Sequence, residues 1–370
     1  MLQVKTATMA DKARIRELWK LCFGDSEQFM DWFFSERYFP AYSSCLLEDG
    51  VIMSALQSYP LHVRMRGAVV MASMLAGVST HPERNGRGYM KRIFLHYMQR
   101  VRNSGIPIAI HTPAHLPTFF SRGHYPATDT LYLTIENANC ARKPGEIAAQ
   151  SLYEDLAPLL LCYQKATAGY SGVVSRTMGD FMYKMRDYGA DNGKCLVRRV
   201  NGNAPGYCVY YAMPDMLHAE ECFALDTGTL SMLIDALRHK AGGRKLYMKL
   251  PPDARVELRG STSETRPQGV MGIANVSTML EKIIGNAEYV FEVTDASVPQ
   301  NAGVWDGCGK ASRREPHIRL EAGRLGQFLC GYRSIADLAA ANEAQIKNEA
   351  MAEALDSAYP RQVCFITDEY

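Results

Sequence analysis

Apolar side chains recur with a helical period near the start of the chain and with a strand-like pattern after it. Residues 11–23 place apolar side chains at positions i, i+3, i+4, i+7 and i+8, which is the spacing of an amphipathic helix. Gly24 suits the C-terminal end of this helix, and Asp25 or Ser26 can cap a second helix. The chain therefore begins with two predicted helices before the period changes.

Strands dominate the next segment. Glu48-Asp49-Gly50 and Arg66-Gly67 are turn sequences that each separate two apolar stretches, which predicts β-hairpins. The second turn leads into a long apolar run over residues 68–80, and a helix with one apolar face is predicted from Met90 to Val101. Shorter elements are predicted as strands at 106–110 and 131–135 and a helix-like stretch at 116–121. This order is typical of a mixed α/β layer structure.

The remaining chain repeats the mixture more weakly. Residues 140–267 contain strand and helix patterns, and the polar segment 255–268 is the best candidate for a domain boundary. Beyond that boundary we predict a strand at 289–294 and an alanine-rich helix at 334–357. The last residues, CFITDEY, predict a strand that ends with the chain.

Composition narrows the class of protein. At roughly 150 residues per domain, 370 residues predict two to three domains. Hydrophobic residues at 47% and charged residues at 22% are typical of globular domains and exclude a disordered chain, a collagen and a simple coiled coil. A net charge of +2 does not support a nucleic-acid or membrane-surface role for the whole protein. No signal peptide or membrane span is visible, and ten scattered cysteines predict reduced thiols in a cytoplasmic protein.

The strongest chemical signal is the segment GVSTHPERNGRGYMKRIF, residues 77–94. A strand is expected to end near Pro82, and Gly86 and Gly88 directly precede a helix. Glycines let several backbone N–H groups turn toward one point, and the helix N-terminus adds a partial positive charge. Arg87 can add a charge-assisted contact. These features predict a phosphate or pyrophosphate site.

Spacing excludes two common phosphate-binding motifs. The dinucleotide motif GxGxxG fails because Lys91 stands where a third glycine should follow Gly86-Arg87-Gly88. The P-loop fails because Gly309-Lys310 is followed by Ala311, and Val304 stands where its first glycine should be. On spacing alone, a plain strand-to-helix turn that uses glycines for tight geometry remains an alternative.

A third loop pattern fits better. A strand, the pattern Pro-x-x-(Arg/Gln)-x-x-Gly-x-(Gly/Ala) and a helix form the acetyl-CoA loop of the GNAT acyltransferase superfamily, and Pro82, Asn85, Gly88 and Met90 resemble it. Asn85 and Met90 depart from the pattern. A bulky residue at position 90 resembles the Eis (enhanced intracellular survival) branch of that superfamily.

The resemblance continues outside the loop. Residues 119–128, FFSRGHYPAT, are similar to an Eis segment with an aromatic residue, a glycine and a tyrosine before Pro-Ala-Thr. Residues 291–303 and 331–340 resemble the C-terminal sterol-carrier-like domain of that family. The resemblance implies a mixed α/β chain of tandem GNAT folds, of which the first keeps the CoA loop, followed by a sterol-carrier-like domain. We place these three domains at residues 1–138, 139–267 and 268–370.

The resemblance implies acetyl-CoA as the donor and gives no role to a metal. We expect the pyrophosphate to bind the loop amides and the pantetheine to pair with the backbone of the long strand. The acetyl-CoA-binding residues are then Val78, Thr80, Asn85, Gly86, Arg87, Gly88, Tyr89, Met90 and Phe120. His111 and His115 are four residues apart, but Pro113 lies between them and no third ligand accompanies them, so the spacing gives little support to a metal site.

Acetyl transfer to an amine also needs an acid for the leaving thiolate and a base for the amine. Tyr125 is the candidate acid, because a phenol with a pKa near 10 is protonated at neutral pH and because the resemblance places the Eis catalytic tyrosine here. The alternative is an ordinary half-buried tyrosine. The resemblance implies that the base is the terminal carboxylate, here that of Tyr370. Such a group has a pKa of roughly 3.5 and needs burial to become basic.

The acceptor side is less defined. If the family layout holds, Asp25 and Glu369, with Asp368, lie near the acceptor channel and favour a cationic amine, while the alternative is that each is a solvated surface carboxylate. We therefore expect an N-acetyltransferase acting on a small-molecule or peptidyl primary amine, without nucleic-acid or membrane partners, and the resemblance implies a homo-oligomer. The alternatives are a non-catalytic acyl-CoA or lipid-binding module and, last, aminoacyl transfer from a charged tRNA.

Overall fold

The computed structural model describes residues 1–140 and 145–368 in two compact units. Contacts within the chain join Met1–Thr128 with Gln268–Cys364 in the first unit, and Asp129–Pro267 with Phe365–Asp368 in the second. The division of the chain into domains at 138/139 and 267/268 remains a prediction. No helix within the described residues has the length and the apolar character needed to cross a membrane.

The strands of the described chain form three sheets. In chain order they are β1 Leu2–Thr6, β2 Ser44–Glu48, β3 Val51–Met65, β4 Ala68–Thr80, β5 Ile108–His111, β6 Tyr125–Pro126, β7 Asp129–Ile135, β8 Ile147–Gln150, β9 Val173–Val174, β10 Lys194–Val200, β11 Asn203–Ala212, β12 Met216–Ala224, β13 Lys245–Leu250, β14 Ser261–Pro267, β15 Val270–Ile273, β16 Val290–Thr294, β17 Gly303–Asp306, β18 Ile318–Glu321 and β19 Ala344–Ile346.

The helices cover the faces of these sheets. In chain order the α-helices are α1 Lys12–Phe23, α2 Glu27–Trp32, α3 Tyr89–Asn103, α4 Ala157–Ala166, α5 Met178–Ala190, α6 Thr227–Ala241, α7 Val276–Ile283, α8 Ala322–Cys330, α9 Ile335–Ala340 and α10 Glu349–Ala358. Short 3₁₀ turns lie at Met9–Asp11, Pro40–Tyr42, Pro82–Arg84, Leu116–Arg122 and Pro299–Asn301, and a π-helical turn at Phe33–Arg37.

The first unit contains two sheets. Its larger sheet runs β1-β2-β3-β4-β5-β15-β6, so β15 enters from a distant part of the sequence and separates β5 from β6. Helices α1 and α2 pack on one face, against Ala55 and Ala76, and α3 packs on the other, against Leu56 and Leu75. The smaller sheet runs β17-β16-β18-β19. Successive residues of a strand, such as Ala55 and Leu56, therefore lie on opposite faces of the sheet.

The second unit has one sheet in the order β14-β7-β13-β12-β11-β10-β8. Its core has two faces, with α6 covering one and α4 and α5 covering the other. The polar segment at 255–268 that predicts a boundary contains β14, whose residues pair with β7. The unit therefore includes a strand that its polar sequence did not predict.

Local sequence signals explain several element ends and fail at two. Gly24 ends α1 with φ 69°, and the Ser26 side chain caps α2 by accepting a hydrogen bond from the Phe29 amide. The single helix predicted at 334–357 is wrong: it is two helices, α9 and α10, with β19 between them. The predicted final strand is also wrong for residues 365–368, which form no strand, although Phe365 is buried in the second unit.

Candidate active site

Strands β4 and β5 diverge in the middle of the larger sheet. Their parallel pairing covers Ala72, Ser73 and Met74 of β4, while β4 itself continues to Thr80. The edge of β4 beyond Met74 therefore has no β5 partner. The amide of His81 donates to the Met53 carbonyl of β3 at 2.8 Å, so the backbone groups of Thr80, one residue earlier in an extended strand, face away from β3. This open edge can pair with an extended ligand.

A β-bulge lies on this open edge at Gly77. The register between β3 and β4 passes from Ala55–Ser79 to Gln57–Ala76, which leaves one extra residue on β4. Gly77 has φ 53°, and a Cβ built on it would overlap the ring of Trp19. Two requirements, a left-handed backbone and space for an indole, thus select glycine. An isolated glycine inside a strand pattern is the sequence signal that could have revealed this bulge.

The predicted acetyl-CoA loop follows β4 directly. After the 3₁₀ turn at Pro82–Arg84, Gly86 and Gly88 adopt φ values of 77° and 74°, and α3 begins at Tyr89. The first amides of α3, those of Tyr89 and Met90 among them, have no acceptor within the helix. Asn85 to Gly88 are exposed, so their backbone is accessible. The loop can therefore bind an anion at the start of the helix.

Glu48 at the end of β2 holds this loop in place through its carboxylate. Its carboxylate accepts a hydrogen bond from the Tyr89 hydroxyl at 2.9 Å, forms a salt bridge with Arg84, and lies 3.8 Å from Nη1 of Arg87. The hydrogen bonds from Arg84 and Tyr89 lower the pKa of Glu48, so it stays ionised. The side chain of Arg87 is 55% exposed and has room to turn toward a phosphate. Nothing in the local sequence around Glu48 signals this role.

Tyr125 lies on β6, and its hydroxyl is already engaged. The phenol donates to Oε2 of Glu321 at 2.6 Å, and the guanidinium of Arg324 lies 3.5 Å from the centre of its ring. Burial raises the pKa of Tyr125, and the hydrogen bond to Glu321 raises it further. To protonate a leaving thiolate the hydroxyl has to turn away from Glu321. The ring of Phe120 lies 5.7 Å from that of Tyr125, so these two predicted residues are neighbours.

The structure describes two of the predicted acceptor residues, and one of them, Asp368, is buried in an ion pair with Arg176 at 3.0 Å and is not available to an acceptor. Asp25 is the other. It is exposed, and its Oδ2 accepts a hydrogen bond from the Trp19 indole at 2.6 Å. Because Trp19 covers Gly77, Asp25 is joined to the bulge through a single side chain. Glu369 and Tyr370, the predicted second acceptor contact and the predicted base, lie outside the described residues.

The histidines form a different arrangement from a metal pair. His111 Nε2 lies 3.1 Å from Nδ1 of His124, whereas His115 bonds to Thr118. Burial lowers the pKa of His124 to about 3, so that imidazole is neutral. Within residues 1–140 and 145–368 no group of three or more His, Cys, Asp or Glu side chains is placed to hold a metal.

The second unit has a comparable strand divergence without the glycine loop. β12 and β13 pair in parallel only as far as Ala219 and Met248. α6 follows β12 closely, but its N-terminus is capped by Asp226, which accepts a hydrogen bond from the Thr229 amide at 2.7 Å. A carboxylate of the protein thus takes the place that a phosphate would need. Asp226 also lines a cavity of about 290 Å³, together with Phe223 and Leu230 among others.

Family comparisons agree with this architecture. Residues 3–126 match the acetyltransferase (GNAT) domain family. The chain contains a GNAT acetyltransferase domain. Residues 276–366 match the sterol carrier protein domain family, so the GNAT domain is followed, after the second unit, by a sterol-carrier-like domain. Glu321 and Arg324, which hold Tyr125, belong to that second match.

Solved structures share the whole fold at low sequence identity. A probable N-acyltransferase of unknown function from Enterococcus faecalis V583 is 18% identical with a TM-score of 0.82, and a GCN5-related N-acetyltransferase from Anabaena variabilis is 15% identical with a TM-score of 0.82. Eis1 from Mycobacterium abscessus is 15% identical with a TM-score of 0.75. Each comparison covers 100% of both chains. No curated protein sequence matches the chain.

Proposed function

We propose that the protein is an acetyl-CoA-dependent N-acetyltransferase of the Eis type that transfers an acetyl group to a primary amine by direct attack. The observation that carries this proposal is the open edge of β4 beyond Met74, which leads directly into the glycine loop at the start of α3. An extended edge followed by an anion site suits a ligand with a peptide-like arm and a pyrophosphate. Acetyl-CoA has both parts.

The donor would bind along these two features. The amides from Gly86 to Met90 and the guanidinium of Arg87 would hold the pyrophosphate, and Asn85 would flank it. The backbone of Val78 and Thr80 would pair with the amides of the pantetheine arm, with Phe120 beside it. A bulge leaves a backbone group out of the ladder, so the amides around Gly77 can donate to the thioester carbonyl as negative charge develops there.

The chemistry then requires two proton transfers. The ammonium of the acceptor first loses a proton to solvent. The nitrogen of the resulting neutral amine attacks the carbonyl carbon and forms the new C–N bond, while a base removes one amine proton. The C–S bond breaks, and the leaving thiolate takes a proton from an acid. We assign the acid to Tyr125, whose hydroxyl would turn from Glu321 to the sulfur when the donor binds. We assign the base to the terminal carboxylate of Tyr370.

The acceptor would be a cationic small-molecule or peptidyl amine, drawn by Asp25 and Glu369. We further propose that the protein is a cytoplasmic homo-oligomer without nucleic-acid or membrane partners. A non-catalytic acyl-CoA or lipid-binding module is not favoured, because Asn85 and Met90, its only support, leave the loop amides in place. The general acid that we assign to Tyr125 would also have no reaction to serve in such a module.

The test is CoA release by N-terminally tagged protein supplied with acetyl-CoA and a panel of polyamines, aminoglycosides and lysyl peptides. We expect thiol to appear only in the presence of one class of amine. A loop variant, Gly88→Val, provides the matched control, because a β-branched residue strains the left-handed backbone at φ 74° and blocks the amides. Equal release by this variant, or release that does not depend on any amine, would contradict the proposal.

A further inference from the structure

The carboxamide of Gln57 is a buried polar group that the proposed mechanism does not use. Gln57 lies on β3 opposite Ala76, beside the bulge of β4, and is 2% exposed. Among the residues that the structure describes, neither its Nε2 nor its Oε1 has a hydrogen-bond partner. Burial of an amide without a partner is unfavourable, so such a group requires an explanation.

The position of Gln57 supplies one. Its Oε1 lies 2.5 Å from the point that a Cβ of Gly77 would occupy. Because Gly77 has no side chain, the carboxamide extends over β4 instead of stopping at β3. Gly77 belongs to the part of β4 that lies beyond Met74, where the strand has no β5 partner. The carboxamide therefore lies over one face of the sheet at the bulge, next to the edge where the thioester carbonyl is proposed to bind.

The face of the sheet identifies what the carboxamide would meet. The helix that begins with the glycine loop, α3, packs on the face that carries Leu56 and Leu75. The ring of Trp19 and the carboxamide of Gln57 both approach Gly77 from the opposite face, which is covered by α1 and α2. With the donor phosphates at the start of α3, the attacking amine would approach from the face that Trp19 and Gln57 share.

We propose that Oε1 of Gln57 accepts a hydrogen bond from the N–H of the attacking amine and thereby selects primary amines. The inference rests on the proposed acetyltransferase function and names a residue that recognises its acceptor. A neutral primary amine has two N–H groups and one lone pair. The lone pair forms the C–N bond, one proton goes to the base, and the second N–H stays on the product amide.

That second N–H is what Gln57 would hold throughout the reaction. The C–S bond breaks and the thiolate takes its proton from the acid, as in the proposed mechanism, so Gln57 neither gains nor loses a proton. A secondary amine has only one N–H, which it must give to the base, and it therefore cannot keep this hydrogen bond. Gln57 thus favours primary over secondary amines.

The test compares wild-type protein with Gln57→Met, which keeps the length of the side chain and removes both polar atoms. The substrates are the amine of the panel that gives the highest CoA release and its N-methyl derivative. We expect kcat/KM for the primary amine to fall about tenfold, the loss of one hydrogen bond. The value for the N-methyl derivative and the KM for acetyl-CoA should change less than about twofold, because neither uses that hydrogen bond.

Thermal unfolding gives a readout that does not depend on turnover. Gln57→Met should raise the unfolding midpoint, because an apolar thioether replaces an unpartnered amide. Gln327→Met is the matched control: Gln327 is also buried, but its Nε2 donates to the Pro126 carbonyl at 2.7 Å and its Oε1 accepts from Arg324 at 3.0 Å. Its midpoint should fall.

Two results would overturn the inference while leaving the proposed function intact. One is an active wild-type enzyme whose Gln57→Met variant loses activity equally on primary and N-methyl amines, or not at all. The other is a midpoint that falls in Gln57→Met as it does in Gln327→Met, which would make the carboxamide part of the fold. If the wild-type protein itself releases no CoA with any amine, the proposed function is wrong and this inference with it.

Discussion

The hydroxyl of Tyr125 donates a hydrogen bond to Oε2 of Glu321 at 2.6 Å, which joins the end of the GNAT domain to the sterol-carrier-like domain. The approach is close, because a Cβ on Gly323 would overlap the Gly123 carbonyl. The tyrosine assigned as general acid is thus held by a carboxylate from a different part of the sequence. The role of the Tyr125 hydroxyl as an acid and its role in anchoring the two domains can be tested separately.

Tyr125→Phe should lower kcat by about 100-fold, because general acid catalysis contributes roughly 10² to 10⁴. The KM for acetyl-CoA should change little, since the hydroxyl acts as the sulfur leaves. Steady-state CoA release checks both values, and the unfolding midpoint is measured alongside. A variant that loses thermal stability and keeps its kcat would show that Tyr125 anchors the two domains and takes no part in the reaction.

The pH profile tests the same assignment through Glu321. A general acid must be protonated, so activity falls as the pH rises through its pKa. Burial and then Glu321 raise the pKa of Tyr125, so this fall should begin above the usual tyrosine value of about 10. Glu321→Gln removes one raising contribution and should move the fall to lower pH. The two proteins are compared with one amine, so that the titration of the amine cancels, and coincident profiles would contradict the assignment.

Arg87→Gln tests the pyrophosphate site. We expect the KM for acetyl-CoA to rise about tenfold with little change in kcat, because one charge-assisted hydrogen bond to a phosphate is lost. Acetylpantetheine, which lacks the pyrophosphate, is the matched control, and its kinetics should be the same for both proteins. An equal loss with both donors would mean that Arg87 supports the loop through Glu48 and does not bind phosphate.

Sequence reasoning succeeded where the signal is local. The stripe of α1, its glycine end, the two hairpin turns and the glycine loop depend on residues within about ten positions of each other, and the structure has all of them. The alanine-rich segment failed, because alanine favours helix without fixing where a helix stops. The capping residues Ser334 and Asn348 mark the true helix starts, and either could have been read as a cap.

Distant pairings were beyond local reasoning. β7 belongs to the sheet of the second unit, and β15, nearly 140 residues later, lies between β5 and β6 in the first. The boundaries of the compact units therefore do not follow a simple sequential division. Glu48, Glu321 and Gln57 were missed at the site for the same reason, because each lies beside a residue that is distant in the sequence.

Gly77→Ala tests the bulge. The variant should lose about 2 to 5 kcal/mol of unfolding free energy, because alanine is strained at φ 53° and its methyl group would overlap Trp19. Gly50→Ala is the matched control: Gly50 has φ 84° with open space around it, so only the backbone strain applies. Denaturant unfolding measures both. Adding Trp19→Leu should recover part of the loss in Gly77→Ala, and equal losses in the two glycine variants would exclude the steric contact.

Arg176 is the buried cation that holds the end of the described chain within the second unit. It donates to both oxygens of Glu221, at 3.0 and 2.7 Å, and forms an ion pair with Asp368 at 3.0 Å. Arg176→Met should cost about 3 to 5 kcal/mol of unfolding free energy, because it leaves the Glu221 carboxylate buried without its cation. Denaturant unfolding at neutral pH measures the loss, and a change below 1 kcal/mol is inconsistent with it.

The pH dependence of this variant has a defined sign. Burial alone would raise the pKa of Glu221, but Arg176 outweighs burial and lowers it below the usual value. A lowered pKa gives stability above the unfolded-state value of about 4.3 that is lost as the pH falls through the folded-state value. In Arg176→Met burial prevails, so stability should instead increase as the pH falls toward 4. Between pH 7 and pH 5 the contribution of Glu221 should therefore be constant in the wild-type protein, whereas the unfolding free energy of the variant should rise relative to that of the wild-type protein.

Residues appended after Tyr370 test the terminal carboxylate as base. Two glycines added there move the charged terminus and leave an amide in its place, which cannot accept the amine proton. CoA release should fall by about 100-fold while the unfolding midpoint stays within about 1 °C, and the same two glycines placed before Met1 are the control. In the wild-type protein activity should rise as the terminal carboxylate loses its proton. This rise should be absent from the pH profile of the extended protein, because that carboxylate is no longer at the same position. Full activity in the C-terminally extended protein would mean that a side chain, and not the terminal carboxylate, is the base.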